Sequence, residues 1–147
     1  MRNRILALAV VILVLAATAA APAIFAKDRS GAEGVWKVKI TPDADAAAKG
    51  EKESDDTLIL KGGKFHSPGC DPYGFGPASY KVEGNHFMAD TESKKEGKIH
   101  WHGEVSGDTV SGQMTWTKTD GNVVNYTFSG TRTGEPPAAG SGKKSKG

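Results

Sequence analysis

The aromatic residues of this chain fall on one face of a series of short strands. Between Gly34 and Arg132, apolar and polar residues alternate over eight segments. That period of two is typical of strands with one buried face. Apart from Phe25, Tyr73 and Phe75, every aromatic residue shares the parity of the apolar residues in its segment. The pattern predicts an all-β fold, an eight-stranded antiparallel up-and-down barrel with an aromatic interior.

Short turns set the order of these strands along the chain. Glycine accepts a positive φ, so glycine-containing dipeptides between alternating segments are typical of two-residue hairpin turns. Three such turns are predicted, at Gly62-Gly63, Gly84-Asn85 and Gly107-Asp108.

The last hairpin requires a different loop. A two-residue turn would place Trp116 opposite Asn125 and mix the two faces, whereas a three-residue loop over 119–121 pairs Trp116 with Val124. Because a slip of one residue turns every inward side chain outward, we expect the three-residue loop. The predicted strands are 35–41, 57–61, a short strand with Phe65 and Ser67 inward, 78–83, 86–91, 98–105, 109–118 and 123–131.

The longer connections fall at the barrel end opposite the tight turns. The first, 42–56, is predicted to act as a flap, with a helical stretch over 43–49 that Thr41 caps and Gly50 ends. The second, 68–77, carries Cys70, Tyr73 and Phe75. The sequence therefore predicts one closed end and one open end, the mouth.

Two inward glycines leave room on the predicted interior wall. Gly103 and Gly112 face each other across neighbouring strands. This space either accommodates an aromatic ring such as Phe128 or belongs to a true cavity, and the sequence leaves both interpretations open.

The ends of the chain differ in composition from its body. Residues 1–26 have the basic start, apolar core and small residues of a secretory signal peptide, with Ala26 as the expected cleavage position. Residues 27–133 form the predicted barrel domain, and 134–147 form a basic Gly/Pro/Lys tail that we expect to be disordered. A cleaved leader predicts a periplasmic or secreted protein without stable membrane insertion.

The distribution of charge argues against a nucleic-acid partner. The whole chain carries a formal net charge of +2, but Arg2 and Arg4 lie in the predicted leader and the last three lysines lie in the tail. The folded body is therefore slightly acidic, and it lacks the clustered Lys and Arg that nucleic-acid binding requires.

Gly34, Trp36 and Arg132 are the predicted structural residues of the closed end. The Gly-x-Trp that opens the first strand and the Arg that follows the last strand resemble the lipocalins, which belong to the calycin group of β-barrels. The segments 101–105 and 107–108 resemble lipocalin-like domains of small exported bacterial proteins. The resemblance implies an arginine side chain lying over the indole, where cation–π attraction and hydrogen bonds both favour it.

The predicted interior combines aromatic rings with a few hydroxyl groups. Such a lining suits a small, partly apolar ligand that enters at the mouth. We therefore expect a non-catalytic binding protein and predict no cofactor, although a fully packed core is an alternative interpretation. The predicted ligand-binding residues are Tyr80, Trp101, Met114, Trp116 and Tyr126 in the interior and Tyr73 and Phe75 on the rim.

A second functional hypothesis is a protein-interaction or inhibitor barrel that acts through its loops. The connection 42–56, the loop 68–77 and the segment 28–34 before the first strand are its candidate contact surfaces. No residue pattern in them marks an inhibitory wedge, so a protein partner remains the alternative.

Histidines form a candidate cluster on the outer wall. His100 and His102 lie two apart on one strand, and His86 would lie opposite His102 if Asp90 paired with Lys98. Three imidazoles on one patch are able to bind zinc. Exposed polar residues of a barrel wall are the ordinary explanation, and no metal site is predicted.

Cys70 is the single cysteine, so no internal disulfide is possible. His66 is close to it in sequence and is a candidate base for a nucleophilic pair. Such a pair needs a third, orienting group, and Asp71 is interpreted as a turn residue before Pro72. We expect a free thiol and predict no catalytic residue.

Overall fold

A computed structural model describes residues 31–134. The predicted signal peptide and nearly all of the predicted tail lie outside these residues. Within the described part of the chain, no helix has the length and apolar character needed to cross a membrane.

The described chain is a ring of antiparallel strands with two short helical segments. The eight strands are β1 (Gly34–Pro42), β2 (Ser54–Lys61), β3 (Lys64–His66), β4 (Ala78–Glu83), β5 (His86–Ser93), β6 (Gly97–Ser106), β7 (Thr109–Thr117) and β8 (Val123–Gly134). They follow one another around a closed barrel, and β1 pairs with β8 to complete it. Helix α1 (Ala44–Ala48) lies between β1 and β2, and a 3₁₀ helix (Pro68–Tyr73) follows β3. The predicted all-β, eight-stranded up-and-down barrel is confirmed.

The predicted register is confirmed at the tight hairpins. Leu60 pairs with Phe65 across the β2–β3 turn, and Trp101 pairs with Met114 between β6 and β7. All four side chains are buried. Inward and outward residues therefore alternate as the sequence pattern predicts.

The three-residue loop of the last hairpin is also confirmed. Trp116 pairs with Val124, and the Lys118 N–H donates to the Asn122 carbonyl at 2.8 Å to close the loop. Gly121 has a φ of 86°, the left-handed conformation that ends such a loop.

The predicted pairing between β5 and β6 is wrong by two residues. Asp90 pairs with His100 rather than with Lys98, so His86 lies opposite Glu104. Both strands are longer than predicted, because Gly97 adopts a left-handed φ of 99° and only three residues separate it from the end of β5. A two-residue slip leaves the faces unchanged, so alternation alone does not detect it.

Aromatic rings fill the space beside the interior glycines. A Cβ atom on Gly103 would overlap the Phe87 ring, and one on Gly112 would meet Phe128 Cζ and the His102 carbonyl. The packing interpretation of these glycines is therefore confirmed.

The first long connection is shorter and better anchored than predicted. Asp43, not Thr41, caps helix α1, since its carboxylate accepts from the Ala46 N–H at 2.7 Å. Thr41 is still paired within β1, and Pro42 ends that strand. Ala46 is buried against the barrel, and β2 begins at Ser54, three residues earlier than predicted.

The closed end is built around Trp36. Its ring is fully buried, and its Nε1 donates to the Ala32 carbonyl at 3.0 Å. The Arg132 guanidinium lies over the indole at 4.2 Å from the ring centre, as the resemblance implied. A Cβ atom on Gly34 would approach Arg132 Nη1 to 2.7 Å, and the φ of 150° at this position favours glycine.

Candidate functional site

A cleft of about 330 Å³ opens at the mouth of the barrel. It lies between the connection that follows α1 and the loop that carries the 3₁₀ helix. Its floor is apolar, and its rim is rich in carboxylates. The lining residues are Ile40, Glu51, Lys52, Glu53, Ser54, Asp55, Asp56, Gly69, Cys70, Tyr73, Phe75, Ile99, Met114, Trp116 and Tyr126.

Five of the seven predicted ligand-binding residues border this cleft. They are Tyr73, Phe75, Met114, Trp116 and Tyr126. Tyr80 and Trp101 lie outside its lining, although both side chains are buried in the barrel.

Trp101 is packed into the lower half of the barrel. Its ring centre lies 5.1 Å from that of Phe65 and 5.7 Å from that of Phe128. Phe87 lies 6.4 Å from Phe128 and extends the same cluster. These rings pack against one another in the barrel below the cleft.

Phe75 was predicted to lie on the rim of the mouth, but its side chain is buried. It is 2% exposed, and its ring meets Trp116 edge-on at 6.0 Å. Tyr73, in contrast, is 54% exposed and forms the outer rim. The loop is held in this position because Ser93 Oγ donates to the Tyr73 carbonyl at 2.8 Å.

Trp116 is the partly exposed tryptophan of the chain, whereas Trp36 and Trp101 are fully buried. Its Nε1 donates to the Glu96 carbonyl at 2.7 Å, which fixes the orientation of the indole. Lys118 Nζ lies 4.7 Å from the ring centre. One cleft wall is therefore a fixed aromatic surface that a ligand is able to reach.

Glu51 connects the two sides of the mouth. Its carboxylate accepts from the Tyr126 hydroxyl at 2.9 Å and pairs with Lys118 at 3.2 Å. The hydrogen bond from Tyr126 holds the pKa of Glu51 below its usual range, and Lys118 acts in the same direction. Burial and the nearby Glu51 carboxylate raise the pKa of Tyr126, so its hydroxyl stays protonated and donates.

Asp56 anchors the 3₁₀ loop from below. Its carboxylate accepts from the Ser67 hydroxyl, from the Gly69 N–H at 2.9 Å and from the Thr57 N–H at 2.7 Å. Neither Glu51 nor Asp56 was predicted as a site residue. A signal for Asp56 was present, because it shares the inward parity of Leu58 in β2.

Cys70 lines the cleft but lacks the character of an activated nucleophile. Burial raises the pKa of its thiol, and the charges of Asp56 and Asp71 act in the same direction. His66 Nε2 lies 2.8 Å from the Asp71 carboxylate, so Asp71 is more than a turn residue. Because burial and the nearby carboxylates raise the pKa of the Cys70 thiol, the thiol stays in its protonated, less reactive form.

The outer-wall histidines do not converge as the zinc hypothesis required. His86 and His102 are diagonal neighbours with ring centres 5.3 Å apart, and His100 instead contacts Asp90 at 2.8 Å. Among residues 31–134, no three His, Cys, Asp or Glu side chains are arranged to hold a metal ion.

Comparisons with protein-family models, with curated proteins and with solved structures found no match to this chain.

Proposed function

We propose that this protein is an exported, non-catalytic binding protein for a small, partly apolar ligand held in the mouth cleft. The observation that carries the proposal is the partly exposed indole of Trp116, fixed in a cleft of about 330 Å³ above a packed aromatic core. Pockets for small molecules are typically concave and aromatic, with a few polar groups at defined positions.

Two further parts of the proposal rest on the sequence. The signal-like composition of residues 1–26 supports export to the periplasm or the medium. The Arg132 guanidinium over Trp36, together with Gly34, supports a lipocalin-like barrel. The non-catalytic role is supported by the raised pKa of the Cys70 thiol.

Mass spectrometry of the mature chain from its own host's exported fraction tests whether a ligand is bound. We expect a mass excess under native conditions that disappears on denaturation. An excess of protein size would instead favour a partner that contacts the loops. Equal native and denatured masses would count against ligand carriage.

Binding of the neutral fluorophore Nile red locates the site. We expect Trp116→Ala to weaken binding at least several-fold, because the substitution removes the accessible aromatic wall. Thr117→Ala is the matched control, since Thr117 is the exposed neighbour on the same strand. Unchanged Nile red binding by Trp116→Ala would contradict the proposed site.

A further inference from the structure

Within the described part of the chain, some of the carboxylates around the mouth cleft have an ion-pair partner, and others do not. Glu51 pairs with Lys118 at 3.2 Å, and Glu53 pairs with Lys39 at 3.4 Å. Asp56 is half-buried, and within residues 31–134 no Lys, Arg or His lies within ion-pair distance of it. A carboxylate in a partly closed, partly apolar site is stabilised by a cation more strongly than one in open water.

Asp56 points toward the cleft because of its place in β2. It has the parity of the fully buried Leu58 and Leu60, so its side chain lies on the interior side of the strand. Asp55 has the opposite parity, and its side chain is exposed. In the sheet it lies opposite Lys39 of β1. Both adjacent carboxylates border the cleft, but only Asp56 is half-buried.

An ammonium group of the protein lies beside the cleft. Lys118 is not a lining residue, but its Nζ lies 4.7 Å from the centre of the Trp116 ring and 3.2 Å from the Glu51 carboxylate. An indole face and a carboxylate both stabilise organic cations in protein sites. The Trp116 indole and the carboxylate of Asp56, which has hydrogen-bond donors but no ion-pair partner within residues 31–134, border the open part of the cleft.

Two carboxylates act on the thiol that lines the cleft. The charges of Asp56 and Asp71 both raise the pKa of Cys70, which lines the cleft, in addition to the larger effect of burial. Lys52 is the single basic residue in the cleft lining, and it is exposed to solvent.

We infer that the ligand is a small organic cation, an ammonium or guanidinium group on a compact apolar body. Its charged group lies at Asp56, and its apolar body lies against Trp116 and Met114. This inference rests on the proposed function, because it names the class of ligand for the same cleft. A volume of about 330 Å³ is at the lower end for ligand pockets, which suits a molecule with one ring and a short chain.

Three probes with the same phenyl group separate charge from apolar contact. They are 2-phenylethylammonium, 2-phenylethanol and 3-phenylpropionate, each titrated at neutral pH while Trp116 fluorescence and amide chemical shifts are followed. We expect the cation to bind at least about tenfold more tightly than the alcohol, and the anion to bind most weakly. The preference should shrink in high salt, because the charges are only partly buried.

Asp56→Asn and Glu83→Gln each remove one negative charge, the first in the cleft and the second on the exposed side of β4, outside the cleft lining. Asp56→Asn keeps an oxygen that accepts from Gly69, and it should reduce the cation preference to within about threefold. Glu83→Gln should retain nearly all of the preference. Ser67→Ala keeps the charge of Asp56 and should also retain the preference, so it separates loop anchoring from charge.

The outcomes distinguish this inference from the proposed function. Equal binding of the three probes would overturn the inference and leave the proposed function standing, as would a neutral or anionic ligand in the native mass spectrum. Failure of the cation to bind would also overturn the inference, while the native mass spectrum still decides the proposed function. Equal effects of Glu83→Gln and Asp56→Asn would overturn the role of Asp56. If Asp56→Asn does not fold, the salt dependence of the unsubstituted protein tests the charge attraction, and a cation preference that is unchanged in high salt would overturn the inference.

Discussion

The two ends of the barrel each place a cation over an indole ring, with different consequences. At the closed end, the Arg132 guanidinium lies 4.2 Å from the centre of the fully buried Trp36 ring. At the mouth, Lys118 Nζ lies 4.7 Å from the centre of the partly exposed Trp116 ring. The first pair closes the barrel, and the second leaves part of an aromatic face accessible to a ligand.

The difference follows from the hydrogen bonds that each cation makes. Arg132 donates to the carbonyls of Glu33 and Gly31 and pairs with Asp108 at 3.3 Å, so it ties the chain before β1 to the β6–β7 turn. Lys118 has one ion pair, with Glu51. A planar guanidinium with five donors fixes several groups at once, whereas an ammonium on a flexible chain is easily displaced.

Arg132→Ala should therefore give the largest loss of stability at either end. It removes the donor to three carbonyl groups, those of Gly31, Glu33 and Gly107, and it removes the cation from the Trp36 face. We expect the free energy of unfolding to fall by about 3 kcal/mol. Urea denaturation followed by far-UV circular dichroism measures this loss.

Lys118→Ala is the matched substitution at the mouth. A partly exposed ion pair and an exposed cation–π contact together contribute only about 1 kcal/mol. The comparison breaks down if the two substitutions lower the free energy of unfolding equally, since the mouth would then be as rigid as the closed end.

The tryptophans themselves give the next largest contrast. Trp36→Phe removes the hydrogen bond to Ala32 from a fully buried site and leaves a gap, so we expect a loss of about 2 kcal/mol. Trp116→Phe also loses a hydrogen bond, to Glu96, but at a partly exposed site we expect a loss of about 1 kcal/mol.

Quenching by acrylamide provides an independent measure of the same contrast. Trp116→Phe should remove most of the tryptophan fluorescence that acrylamide quenches, whereas Trp36→Phe should leave the quenchable fraction intact. Strong quenching that persists in Trp116→Phe would mean that a buried indole is accessible, contrary to its packing.

The sequence predicts the closed end better than the mouth. Alternation fixes which residues face inward, and glycine turns fix the register wherever loops have two residues, as at Leu60 and Phe65. The Gly34, Trp36 and Arg132 motif was sufficient to place the guanidinium over the indole. Alternation and turns depend on residues that are neighbours in sequence, whereas the contact between Arg132 and Trp36 was predicted from the resemblance to the lipocalins.

The mouth depends on contacts between residues far apart in sequence. Glu51 meets Tyr126 and Lys118 only after the barrel has closed, and no periodic pattern marks a glutamate that follows a short helix. Phe75 is buried because the 3₁₀ loop folds over the mouth, which a loop composition does not reveal. The sequence did indicate Asp56, because this residue shares the inward parity of β2. Recognising that parity, however, requires knowing that β2 begins at Ser54.

The smallest effect concerns the Glu51 contacts across the mouth and their dependence on pH. Because the pKa of Glu51 is lowered in the folded state, chiefly by the Tyr126 hydroxyl, its stabilising contribution is complete above the unfolded pKa of about 4.3. That contribution is lost as the pH falls through the lower, folded pKa. Glu51→Gln cannot ionise, so its free energy of unfolding should fall less steeply between neutral and acidic pH than that of the unsubstituted protein.

Tyr126→Phe tests the same contacts from the other partner. It keeps the Glu51 carboxylate but removes the hydroxyl that contributes most to the lowered pKa, so it should also flatten the acid limb of the stability profile. Chemical denaturation at a series of pH values measures both variants. An acid limb as steep as that of the unsubstituted protein in both variants would mean that the mouth does not depend on this carboxylate. The accessible face of Trp116 would then owe its position to the Glu96 hydrogen bond, to the rings of Phe75 and Tyr73 and to the Lys118 ammonium.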